Sequence, residues 1–159
     1  MLARESRRLM DLVLWRHAEA EDGSPDADRR LTKRGRRQAK KMAEWLDARL
    51  PDKAKLVVSP AARARETADA LGRKYAANSA VDVDASVDDV LAAAGWPHRG
   101  GTVVVVGHQP TLGEVAARLL SGAETEWSVR KGAVWWFSAR DRGGDVEIVL
   151  TAVLPPELL

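Results

Sequence analysis

The sequence predicts an α/β fold: one three-layer α/β/α domain with a mostly parallel central sheet and a C-terminal hairpin. Short, unbroken apolar runs at residues 11–15, 55–59 and 102–106 alternate with segments of helical periodicity. Strands buried on both faces have that continuous apolar character, and their alternation with helices implies helix layers on both sides of a parallel sheet. Near the end, runs 133–138 and 147–153 flank a polar turn at 141–144, which predicts a hairpin. At 159 residues the chain has the length of a single domain with a substantial core.

Each element follows from local chemistry. Residues 1–9 read as a flexible extension preceding a domain at 10–159, because Met10 directly precedes the first apolar run, DLVLW. A polar loop with Gly and Pro covers 19–30. Thr32 then caps a helix to about Leu50, with Ala39, Met42, Ala43, Leu46 and Leu50 on one face and Pro51 beyond its end. KLVVS is the second strand, and Pro60 opens a helix predicted to reach about Tyr75. Val81–Val83 is a candidate short strand. Ser86 caps a helix through Ala94 that Gly95 and Pro97 end, and TVVVV is followed by a helix over 110–120.

Composition narrows the function. Apolar residues are 45% and charged residues 30%, the balance of a globular chain. With no cysteine, thiolate nucleophiles, thiolate zinc sites and disulfides are excluded, which fits a cytoplasmic protein. No run has the length to span a bilayer, and the first residues lack a signal-peptide core, so no membrane partner is expected. Net charge is +2, but the run Lys33, Arg34, Arg36, Arg37, Lys40 and Lys41 is strongly basic. It reads first as a solvated helix face beside an anion site; a nucleic-acid footprint is the second reading, disfavoured because no aromatics interleave it.

Three apolar strands end in polar residues: Arg16-His17, Ser59-Pro60 with Arg63 one turn on, and Gly107-His108. Ligands of open α/β sheets bind outside the carboxyl ends of the strands, so these residues are expected to converge. Arginine's planar fork and a helix N-terminus suit phosphate oxygens, and a neutral imidazole is a competent nucleophile toward phosphorus. Ser59 and Thr67 read as capping and packing residues, Gly35 as a close helix contact, His98 as a surface residue and Lys131 first as a solvated residue, second as one that approaches the anion site. Three histidines without ligand spacing argue against a metal site.

Four blocks carry a resemblance: LWRHAEA at 14–20, LTKRG at 31–35, SPAARARETA at 59–68 and VGHQP at 106–110. In order and approximate spacing they resemble the histidine phosphatase superfamily, which has a phosphoglycerate-mutase-like fold. The resemblance is closest to its small bacterial SixA-type phosphohistidine phosphatases. It implies that His17 is the nucleophile and that Arg16, Arg63 and His108 bind the transferring phosphate, with no cofactor. Ala18 stands where much of the superfamily has Gly. Members acting on phosphate esters add a carboxylic acid as proton donor, for which Glu19, Asp88 and Asp89 are the candidates here.

The function expected is a metal-independent phosphatase with a phosphohistidine enzyme intermediate. A leaving imidazole depends less on a strong acid than an alkoxide does, and the short interval between Arg63 and His108 leaves little chain for a lid. Both features favour phosphohistidine on a protein, such as a phosphotransfer domain of two-component signalling, over a small phosphorylated substrate. The alternatives are a small-molecule phosphomonoesterase or mutase, and a noncatalytic phosphate- or RNA-binding module.

Overall fold

The computed structural model describes residues 6–159. A six-stranded sheet in the order β3-β2-β4-β1-β5-β6 forms the middle layer. Its strands are β1 (Ser6–Arg16), β2 (Lys55–Val58), β3 (Ala76–Ala77), β4 (Thr102–Gly107), β5 (Val134–Arg142) and β6 (Asp145–Leu154). The β3-β2-β4-β1 half is parallel, while β5 and β6 are antiparallel.

Period-two alternation sorts the side chains of β1 and β4 between two cores. Leu12, Leu14, Val103 and Val105 face α3 (Val87–Ala94) and α4 (Thr111–Ser121). Val13, Trp15, Val104 and Val106 face α1 (Lys33–Asp47) and α2 (Ala62–Asp69). Thr32 caps α1 by accepting the Gly35 amide at 2.9 Å. Ser86 and Asp89 form a reciprocal capping box on α3, which Gly95 ends in the left-handed conformation. Among the described residues no helix is long and apolar enough to cross a membrane.

Three expectations need correction. Residues 6–9 are not an extension: they belong to β1, where Ser6, Arg7 and Arg8 pair with Arg142, Asp141 and Arg140 of β5. Residues 1–5 of that expected extension lie outside the described residues. Helix α2 ends at Asp69 rather than near Tyr75, because Gly72 adopts φ +70° and turns the chain out of the right-handed helix. The short strand is Ala76–Ala77, not 81–83. Asn78 caps a 3-10 turn at Ser79–Val81, and Val81 is buried in the core without joining a ladder.

Candidate active site

The parallel strands deliver their carboxyl ends to one place. Arg16 is in register with Gly107, and the His17 amide donates to the Gly107 carbonyl at 3.1 Å, so His17 and His108 leave adjacent strands side by side. Their ring centroids are 5.2 Å apart. The Ser59 amide donates to Val106 at 3.0 Å, which sets the start of α2, and Arg63 with it, against the same edge. Arg16, His17, Arg63 and His108 line one pocket of about 330 Å³. The four residues expected to converge do converge.

The hydrogen bonds around them fix orientations. His17 Nδ1 lies 2.8 Å from the Ala18 carbonyl, which can only accept, so Nδ1 carries the proton and Nε2 the lone pair. His108 Nε2 lies 2.7 Å from Ser59 Oγ, which also accepts the Ala61 amide at 3.2 Å. Thr67 accepts the Ala18 amide at 3.0 Å and donates to the Arg63 carbonyl at 2.8 Å, linking the turn after His17 to α2. Ser59 and Thr67 therefore do more than cap and pack. Gly35 is the close contact expected, since an added methyl would overlap the Glu19 carbonyl oxygen.

The segment before β5 holds β1 from the other side. Arg16 donates to the Val129 carbonyl at 2.8 Å, and the Gly132 amide bridges the Arg16 and His17 carbonyls at 3.1 Å each. Among the described residues, three buried nitrogens of the pocket residues have no partner: Arg16 Nε, Arg63 Nε and His108 Nδ1. Buried polar nitrogens are costly to leave unpaired, so three around one small pocket suit it to an anion.

Burial also sets the charges. It drives His17 down to about 3 against the opposing hydrogen bond to Ala18, with His108, Arg63 and Arg16 adding their repulsion. Burial, then Arg63, lowers His108 to about 4. Burial lowers Arg16 as well. At neutral pH the pocket thus holds two neutral imidazoles beside two guanidinium groups.

The proton-donor candidates fall elsewhere. Asp89 is committed to the Ser86 capping box and Asp88 to an ion pair with Arg118 on an exposed face. Glu19 lies 3.6 Å from Arg34 in a neighbouring groove. The carboxylate that lines the pocket is Asp26, which accepts from Arg63 through its carbonyl at 2.9 Å and its Oδ2 at 3.1 Å. Hydrogen bonds from Arg29, then Arg63, hold it below the usual carboxylate range. Asp26 and Arg29 sit in a polar loop with no periodicity, and their i, i+3 spacing is the only local signal of a pair. Lys131 is exposed, as expected, but it also lines the pocket. His98 is exposed, as expected, in the segment after α3 and lies outside the pocket. Among the described residues no group of three or more His, Asp or Glu is placed to hold a metal ion.

Fold and pocket together define an α/β protein that presents an imidazole lone pair beside two guanidinium groups at the carboxyl end of a parallel sheet. Residues 12–82 match the model of the histidine phosphatase superfamily (branch 1). An uncharacterized Mycobacterium tuberculosis protein is 36% identical over 126 residues, covering 72% of this chain and 75% of the relative. The SixA structure from Nakamurella multipartitia superposes with a TM-score of 0.77 at 31% identity, covering 97% of this chain and 99% of that one. An Agrobacterium tumefaciens SixA structure gives 0.74 at 23% identity, over 92% and 97%. The chain belongs to the histidine phosphatase superfamily, among its small SixA-like members.

Proposed function

We propose that the protein is a metal-independent phosphatase that forms phospho-His17 and acts on phosphohistidine carried by another protein. The observation that carries the reading is the fixed tautomer of His17. Its Nδ1–H is held by the Ala18 carbonyl, leaving a neutral Nε2 beside the three unpartnered nitrogens. Nε2 attacks phosphorus and a P–N bond to His17 forms. The bond to the leaving group breaks, and the leaving nitrogen keeps its electron pair and takes a proton from solvent. Water then attacks phospho-His17, inorganic phosphate departs, and Nε2 regains its lone pair.

Arg16 and Arg63 supply the positive charge that the equatorial oxygens require in flight, as a metal ion does in other phosphoryl-transfer sites. When Ser59 donates to His108 Nε2, the His108 proton sits on Nδ1 and is offered to a phosphoryl oxygen. The choice of phosphohistidine rests on Asp26. With its pKa depressed, it is a carboxylate at neutral pH and so an acceptor, not an acid. An alkoxide leaving group needs a strong acid; imidazole, with a reference pKa of about 6.5, does not. The exposed rim at Asp26 and Lys131 suits a protein-borne phosphoryl group.

The test compares wild type and His17→Ala on a phosphohistidine peptide, para-nitrophenyl phosphate and an alkyl phosphate, with chelator present. Expected are chelator-resistant turnover, an acid-labile phosphoenzyme on rapid quenching, loss of both in His17→Ala, and little activity on the alkyl phosphate. Unchanged turnover in His17→Ala rules out the nucleophile, and an alkyl phosphate used as well as phosphohistidine rules out the leaving-group argument.

A further inference from the structure

We infer that the groove along the exposed face of α1 docks an acidic segment of the phosphorylated protein, so that α1 selects the substrate that His17 dephosphorylates. The catalytic half of this statement rests on the function proposed above; the binding half stands on the groove itself. A cavity of about 340 Å³ adjoins the catalytic pocket and shares Arg16 and Lys131 with it. A further cavity of about 220 Å³ shares Arg34, Gln38 and Glu157 with that groove and continues to Arg37 and Lys41. The three form one track leading away from His17.

Sequence spacing builds the track. Arg34, Arg37, Gln38 and Lys41 follow i, i+3, i+4 and i+7, so they share one face of α1. At 1.5 Å of rise per residue that face runs about 10 Å beyond its first member, farther than one phosphate ester reaches. Arg36, on a different face, spends its charge on Glu66 at 3.3 Å. Among the described residues no ion pair engages Arg37, Lys41, Arg130 or Lys131, and Arg34 has only the loose 3.6 Å contact with Glu19. Arg130 and Lys131 are exposed, as are Arg34, Arg37 and Lys41. A row of exposed, unpaired cations on a concave surface complements a row of carboxylates.

The lining favours protein over nucleic acid. Glu19 and Glu157 interrupt the cations and would repel an unbroken run of phosphates, whereas an acidic protein segment can carry a cation or a neutral residue at those two positions. Neither cavity is lined by an aromatic residue, so bases would find no stacking surface there.

The experiment uses the double variant Arg37→Glu with Lys41→Glu, both outside the catalytic pocket. Fluorescence anisotropy follows a labelled, unphosphorylated Asp/Glu-rich peptide and, in parallel, a labelled single-stranded RNA, at two salt concentrations. Expected is salt-sensitive peptide binding to wild type and to His17→Ala, weakened at least about tenfold in the double variant. Turnover of an acidic phosphohistidine peptide should fall by a similar factor in kcat/KM, with para-nitrophenyl phosphate unaffected. Peptide binding indifferent to the charge reversal, or RNA bound more tightly than the peptide, overturns the docking surface. Peptide binding lost in the double variant while wild type fails to hydrolyse any phosphohistidine peptide upholds the docking surface and overturns the function proposed for His17.

Discussion

Ser59 Oγ and His108 Nε2 lie 2.7 Å apart, with both residues buried and the other imidazole nitrogen, Nδ1, left without a partner among the described residues. The serine thereby decides which face of the imidazole stays available to the pocket. Ser59→Ala removes this contact and one acceptor for the Ala61 amide, while leaving His17, Arg16 and Arg63 in place. Turnover of para-nitrophenyl phosphate is expected to fall about tenfold, less than the roughly 100- to 1000-fold of a lost oxyanion contact, because His108 itself remains. Stability should fall by about 1–2 kcal/mol. Steady-state kinetics with urea unfolding of the same preparation checks both, and full activity in Ser59→Ala would remove the serine from the site.

Thr67 joins two parts of the pocket that are distant in sequence. It receives the Ala18 amide and returns its own proton to the Arg63 carbonyl, at zero exposure. Thr67→Val keeps the shape but leaves a buried N–H without its acceptor, which costs about 1–3 kcal/mol. Because Ala18 also supplies the carbonyl that holds His17 Nδ1, the loss should reach the nucleophile as a lower kcat. Thermal unfolding and kcat measured together test this; a destabilised variant with unchanged kcat would confine Thr67 to packing.

The elements that could be read from the sequence are those whose signals are local. Ser86 to Gly95 contains its own start, box and stop, and the helix appears over 87–94 as expected. Strand β4 is an unbroken apolar run and is buried along its whole length. The first residues of β1 carry no such pattern: SRRL is polar, and only pairing with β5, more than 130 residues away, makes it a strand. Helix α2 is shorter than its sequence predicts for a similar reason, since helix formers continue past the point where Gly72 reverses the backbone.

The same distinction applies to the pocket. Arg16, His17, Arg63 and His108 are legible because each lies at the carboxyl end of a buried strand or within about one turn of it, and topology makes strand ends meet. Asp26 is not, because its loop has no element of its own until Arg63 and Arg29 hold it. Asp88 and Asp89 are acids the sequence offers as candidates, yet carboxylates in a first helical turn serve the helix itself.

Protonation of the two histidines gives a prediction with a definite sign. Both folded values, about 3 for His17 and about 4 for His108, lie below the free value of about 6.5. As pH falls below 6.5 the unfolded chain binds protons that the native chain refuses, so native stability declines through this window. Each histidine contributes a slope approaching about 1.4 kcal/mol per pH unit until its folded value is reached. Between pH 6.5 and 5, thermal unfolding should show a shallower decline for His17→Ala than for wild type. Imidazole NMR signals of His17 and His108 should stay in their neutral positions over the same range. Either ring titrating near 6.5 would mean that the pocket is wetter than its burial implies.

Asp26 makes the last prediction because it occupies the fork of Arg63 that a phosphate would use. Its Oδ2 lies 3.1 Å from one terminal nitrogen and its carbonyl 2.9 Å from the other. The side-chain charge competes with an incoming anion, while the backbone carbonyl only orients the guanidinium. Asp26→Asn preserves the carbonyl and the side-chain size but removes the charge, so Arg63 stays oriented. Inorganic phosphate should then inhibit more strongly, with Ki lowered severalfold, since each tenfold change corresponds to about 1.4 kcal/mol and the exposed carboxylate is partly screened. A wild-type-like KM with a collapse of kcat would point the other way, to a carboxylate that handles protons or water during hydrolysis of phospho-His17. Inhibition by phosphate at several ionic strengths, measured with kcat on para-nitrophenyl phosphate, separates the two roles, because only charge competition weakens as salt rises.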